Sequence, residues 1–126
     1  MKSKHLFIEQ FVQSCITRYR GKEAFSKLQK YLVKTPIEID FTNCETVSLS
    51  FLDELISQIS QSFELNKIVF RVPNQLVEDK LAHISGFHNV TVYCRTSNDS
   101  VHRVIPQSPT LEKATFLSSK VLLSRQ

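Results

Sequence analysis

Glycine is nearly missing from this sequence: Gly21 and Gly86 are the only two among 126 residues. Phosphate cradles built from clustered glycines need several at fixed spacing, so neither GxGxxG nor GxxxxGK[ST] can be written. GxSxG, the tight turn that presents a nucleophilic serine, is missing as well. No apolar run approaches the roughly 20 residues that a membrane-spanning helix requires. MKSKHLFIEQ carries charge but no long apolar stretch or small-residue cleavage site, so no signal peptide is expected. Cysteine is sparse. Cys15, Cys44 and Cys94 are odd in number, far apart and each within an apolar segment, which fits buried free thiols in a reducing cytoplasm. His5, His83, His88 and His102 show no metal-ligand spacing with one another or with the cysteines, so neither metal nor cofactor is expected. Asp53-Glu54 and Glu78-Asp79 are adjacent, and neighbours on a helix point in different directions, unlike a catalytic carboxylate pair. With no nucleophile, base and acid in a recognisable order, the expectation is a protein that is not an enzyme.

What is present suits one domain, since chains of this length bury enough surface for a real core. Charge is segregated along the chain. Residues 1–35 hold eight Lys/Arg against two acids, whereas residues 36–70 hold one Lys against six acids. On opposite faces these segments would create a dipolar field able to orient a partner or a second copy. The plainer reading has Lys27, Lys30 and Lys34 solvating the outside of a helix.

Apolar periodicity alternates between strand and helix. Residues 5–17 read as a short strand followed by a second strand or turn. Gly21 is expected to open a helix striped by Ala24, Phe25, Leu28, Tyr31 and Leu32, which Thr35-Pro36 ends. Ile37, Ile39 and Phe41 mark a strand, and Leu52, Leu55, Ile56, Ile59 and Phe63 mark a helix from about Ser50 to Phe63. KIVFRV, residues 67–72, is a third strand. Asn74 then caps a helix striped by Leu76, Val77, Leu81 and Ile84, with Gly86 as its stop, and NVTVYC makes the fourth clear strand. Crossovers of this length favour parallel pairing, hence an α/β domain over residues 1–95. TSNDSVHRVIPQSP reads as a linker or draped loop. TLEKATFLSSKVLLSRQ regains a helical stripe, so residues 96–126 read as a linker plus an amphipathic helix that docks on the domain or on a second subunit.

Two surfaces attract attention. Arg18, Arg20 and Lys22 surround Tyr19, and cations around an aromatic can hold an anion or a nucleic acid, although the acidic middle would repel a long polyanion. The second is the junction in IEIDFTNCETVSLSFLDELISQI, where alternation gives way to helical spacing across NCETVSLS. Ser48 or Ser50 can cap the helix there, and Ser50 with Asp53 is a weak capping box. Negative charge, including a phosphoserine, is favoured at the same place by free amides and the helix dipole.

The run from Asp40 to Leu52, DFTNCETVSLSFL, resembles the signature of STAS domains of the anti-sigma factor antagonist type, where an LDLSGV-like strand leads to a DSSGL turn. It is still more similar to the STAS-like branch of uncharacterised function, whose members read like DF…SSSFADEL. Asp40, Phe41, Ser48, Ser50, Phe51, Asp53, Glu54 and Leu55 match that pattern, and Arg18, Arg20 and Gly21 match the arginine and glycine before its first helix. The resemblance, which extends loosely over residues 5–95, implies a single STAS-like α/β domain. Its sheet would be mostly parallel or mixed, with four or five strands and helices packed mainly on one face. It also implies a regulatory, non-enzymatic protein that binds a partner, a histidine-kinase-type ATPase or an anti-sigma-like regulator, with a homodimer open. In phosphorylated members the first serine of the turn is modified and binding is abolished. Here Leu49 occupies that position, Ser48 replaces the turn's acid and Phe51 its glycine, so Ser48 and Ser50 are the hydroxyls left to modify, while Leu49 and Phe51 could form an apolar contact surface.

Overall fold

The computed structural model describes residues 4–34, 36–96 and 98–106, and all structural statements concern these residues. Five strands, β1 (Lys4–Phe7), β2 (Ile37–Asp40), β3 (Ile68–Arg71), β4 (Tyr93–Arg95) and β5 (Val101–Arg103), alternate with α1 (Arg18–Leu32), α2 (Leu49–Ser62) and α3 (Gln75–His88). They form one mixed sheet in the order β1-β2-β3-β4-β5, the first four parallel and β5 antiparallel to β4. Each parallel crossover steps to the next strand in the same direction, and crossovers are right-handed, so α1, α2 and α3 fall on one face of the sheet. Ile37, Ile39 and Phe41 bury their side chains toward that layer, where Phe41 meets Phe51 of α2 edge-to-face at 6.2 Å. Full burial of a large apolar side chain contributes about 1.5–3 kcal/mol, and Phe41, Phe51 and Phe70 form the centre of this core.

The alternate residues of β2, Glu38 and Asp40, point to the opposite face and are nevertheless buried. Burying a carboxylate is tolerable when charged hydrogen bonds compensate it. Glu38 accepts from Arg71 Nε at 2.7 Å and from Arg95 Nε at 3.2 Å, and both arginines reach Asp99 in the β4–β5 turn. Asp40 accepts from the backbone and side chain of Thr42 at 2.7 and 2.6 Å and pairs with His5 at 2.7 Å. Burial pushes the Asp40 carboxyl upward, but the Thr42 and His5 hydrogen bonds outweigh it and hold it below the usual range.

Several boundaries differ from those expected. Gly21 does not open α1, which starts at Arg18 with Thr17 as its cap. Instead Gly21 is where α1 touches α2: a Cβ there would lie 2.8 Å from the Phe51 carbonyl and 2.9 Å from Glu54 Cβ. Leu76 is 61% exposed and lies off the buried stripe, which continues through Ala82 and Ser85. Gly86 stays helical, and Asn89, with φ 56°, ends α3 in the left-handed conformation that asparagine tolerates. The stretch expected to be a draped loop contains β5, whose hairpin buries Val104. The expected C-terminal helix lies outside the described residues. No helix among those described is long and apolar enough to cross a membrane.

Candidate functional site: the strand-to-helix join

Phe41 to Val47 carry the chain from β2 to α2, and hydrogen bonds fix the end of that path. Val47 bridges to Cys15 in parallel fashion, Ser48 N–H donates to the Cys15 carbonyl at 2.9 Å, and Lys80 Nζ donates to the Val47 carbonyl at 2.7 Å. Ser48 is the cap: its hydroxyl accepts from Phe51 N–H at 3.0 Å and donates to the Ile16 carbonyl. One hydroxyl thus satisfies a free amide of α2 and a loop carbonyl together. Ser50, the other candidate cap, stands exposed in the first turn of the helix. Leu49 is 41% exposed, as the start of an amphipathic helix turned to solvent allows.

Arg18, Leu49, Ser50, Asp53, His83, Ile84 and Phe87 surround a shallow pocket of about 180 Å³. Asp53 is its electrostatic centre, paired with Arg18 Nη1 at 2.6 Å and bonded to His88 Nε2. Burial raises the Asp53 carboxyl, but hydrogen bonds from His88 and Arg18 overcome that and hold it low. The hydrogen bond to Asp53 in turn raises Arg18. Glu54, adjacent in sequence, reaches the same guanidinium at 3.6 Å, so Asp53 and Glu54 converge through Arg18 despite their divergent directions on α2.

The expected site residues therefore separate into three groups. Ser48, Leu49, Ser50, Asp53 and Glu54 meet at the join. Phe51 does not face solvent: it is fully buried, because its place in the first turn points toward Phe41, and it cannot be part of a contact surface. Asp40 belongs to the far sheet face and holds the turn after β2. Of the basic residues, Arg18 is committed to Asp53 and Glu54, Arg20 pairs with Glu23 at 2.6 Å, and Lys22 is exposed. Basic α1 and acidic α2 are neighbours joined by ion pairs, so their charges do not occupy opposite faces. Sequence reading missed Phe87, 68% exposed beside Leu49, and His88.

Two further clusters became visible only in three dimensions. Cys15 and Cys44 sulfurs lie 3.6 Å apart beneath the join; their shared hydrogen bond, together with burial, raises Cys15, and the same hydrogen bond draws Cys44 down against its own burial. Glu78, Cys94 and His102 converge at the start of α3, where burial and the Glu78 charge push the Cys94 thiol up to about 12.

Comparison with known proteins agrees with this architecture. Residues 20–74, from α1 to the cap of α3, match the family model described as a STAS-like domain of unknown function (DUF4325). The matched span contains the join, so the STAS-like character expected from DFTNCETVSLSFL is shown for that stretch. No curated protein and no solved structure gives a significant match.

Proposed function

We propose that this STAS-like chain is a non-enzymatic regulatory module that docks a partner protein on the rim of the join, the partner being a histidine-kinase-type ATPase or an anti-sigma-like regulator. One observation carries the reading: Leu49 and Phe87 stand exposed together around a pocket whose charged groups are already paired. Apolar anchors within a polar rim are the anatomy of binding hot spots. A site with its acid, cation and histidine tied to each other offers a partner shape and apolar area, with little proton-transfer capacity to spare. Ser50 is the hydroxyl placed for regulation. Ser48 is committed to two hydrogen bonds, whereas a phosphate on Ser50 would bring charge to the same rim.

The test is a pull-down with the full chain from its source organism, followed by calorimetry on the purified pair. Leu49→Asp and Phe87→Asp are each expected to weaken the complex by roughly 30-fold or more, the factor that marks a hot spot. Val33→Asp alters an exposed apolar residue at the other end of α1 and should leave binding unchanged. A complex indifferent to Leu49→Asp, Phe87→Asp and Ser50→Asp alike would show that docking happens elsewhere.

A further inference from the structure

Three lone-pair donors from three different elements meet beside the β4–β5 hairpin. Antiparallel register sets Cys94 of β4 opposite His102 of β5, and Glu78 reaches them from the first turn of α3. His102 Nε2 lies 3.4 Å from Cys94 Sγ and 2.8 Å from Glu78 Oε2. The three ligand atoms all fall within 4.8 Å of one another. Both contacts converge on a single ring nitrogen, which no tautomer can share properly. When Nε2 carries hydrogen it serves the carboxylate and cannot accept from the thiol; when bare, it accepts from the thiol and faces the carboxylate lone pair. A cation among the three resolves this, because each group then presents an electron pair.

We propose that Glu78, Cys94 and His102 bind a single divalent ion of the zinc class, with a fourth position open to solvent. Three protein ligands of mixed sulfur, nitrogen and oxygen character are a Zn²⁺ set, and the thiolate selects against Mg²⁺ and Ca²⁺. Tetrahedral bonds of ordinary length put sulfur and nitrogen about 3.6 Å apart and nitrogen and oxygen about 3.4 Å apart. The first separation is nearly present already. The second asks the His102 ring to swing about half an ångström from Glu78, a small movement for a side chain 41% exposed. On binding, the Cys94 thiol forms a sulfur–metal bond and its proton passes to solvent. The ion then clamps the edge hairpin to α3. His88 at the far end of α3 is ten residues away, about 15 Å along the helix, so the ion shares no ligand with the docking rim.

The experiment is titration of the reduced, chelator-treated full chain with Co²⁺, then Zn²⁺ in competition with a chromophoric chelator. One equivalent of Co²⁺ should give a thiolate-to-metal charge-transfer band, be displaced by Zn²⁺ and show sub-micromolar Zn²⁺ affinity. His102→Ala and Glu78→Gln change half-buried side chains; the first should weaken Zn²⁺ by at least about 100-fold, the upper end of what losing even an outer-shell partner costs. Cys94→Ser should abolish the charge-transfer band. Because Cys94 is fully buried, the two milder variants also decide the case if that one misfolds. No charge-transfer band at millimolar Co²⁺, or unchanged affinity in both His102→Ala and Glu78→Gln, overturns the site.

Discussion

Replacing Gly21 by alanine sets two effects of known size against each other. On a solvent-exposed helix the change would stabilise by about 1 kcal/mol, because alanine loses less backbone freedom. At this crossing the new methyl would lie 2.8 Å from the Phe51 carbonyl oxygen, 2.9 Å from Glu54 Cβ and 3.4 Å from Glu54 Cγ. Unstrained carbon contacts are about 3.5–4.0 Å, so α1 and α2 must separate by roughly half an ångström or more. Overpacking of this kind costs about 1–3 kcal/mol. The clash should therefore win, with a net loss near 1 kcal/mol and a fall in Tm of about 4 °C for a chain of this size. Gly21→Val should be worse, since its extra methyls enlarge the same overlap. Urea unfolding and thermal melts of the full chain measure both, and calorimetry with the docking partner adds a second reading, because Leu49 rides on α2. A Tm that rises in Gly21→Ala would mean that helix propensity prevails and that the two backbones do not approach so closely.

Other substitutions probe the remaining features. Ser48→Ala should cost about 1–2 kcal/mol by removing the α2 cap, while Ser50→Ala should stay within about 0.5 kcal/mol; equal urea midpoints would remove the distinction between them. Glu38→Gln leaves Arg71 and Arg95 facing a neutral amide and should cost about 2 kcal/mol, the scale of hydrogen bonds to charged groups. A neutral outcome would show that the network is dispensable. Acid should destabilise through Asp40 and Asp53: both carboxyls are lowered in the folded state, so the unfolded chain binds protons first. Their contribution is complete above the ordinary carboxylate pKa of about 3.9 and is lost as pH falls through the lowered folded values. Urea midpoints measured across that window should decline less steeply in Asp40→Asn. Diamide should join Cys15 to Cys44, the two thiols giving two hydrogens to the reagent, while Cys94 stays reduced; a peptide map linking Cys94 instead would refute the pairing.

The layout of α1, α2, β2 and β3 was readable because each turns an apolar face to the core, and that leaves its period in the sequence even in β2, whose other face buries Glu38 and Asp40. Ends were harder. Gly86 looked like a stop, but Asn89 bears the left-handed conformation, a choice made by local hydrogen bonding. β5 was missed because a three-residue edge strand has too few residues to show alternation, and the residues before it are polar. At the join, the motif located Ser48, Leu49 and Ser50, yet capping chemistry alone could not choose between the two serines. Phe87 and His88 were invisible as site residues because they come from the end of α3, and the contact with Asp53 spans 35 positions. The Glu78, Cys94 and His102 cluster escaped for the same reason: strand register creates the adjacency, and linear spacing does not record it.

Spatial order along the sheet equals chain order, and that has a bearing on synthesis. Each strand finds its neighbour one crossover earlier, so no segment must wait for a distant C-terminal partner before it can settle. Each parallel pairing nevertheless joins residues 24–33 positions apart, so the sheet forms more slowly than a bundle of local helix contacts would. A nascent chain could add units to a growing edge as they leave the ribosome, with the β4–β5 hairpin laid down last of the described elements. Changes to the chain after β5 would then disturb the β4–β5 edge before they reached the join between β2 and α2.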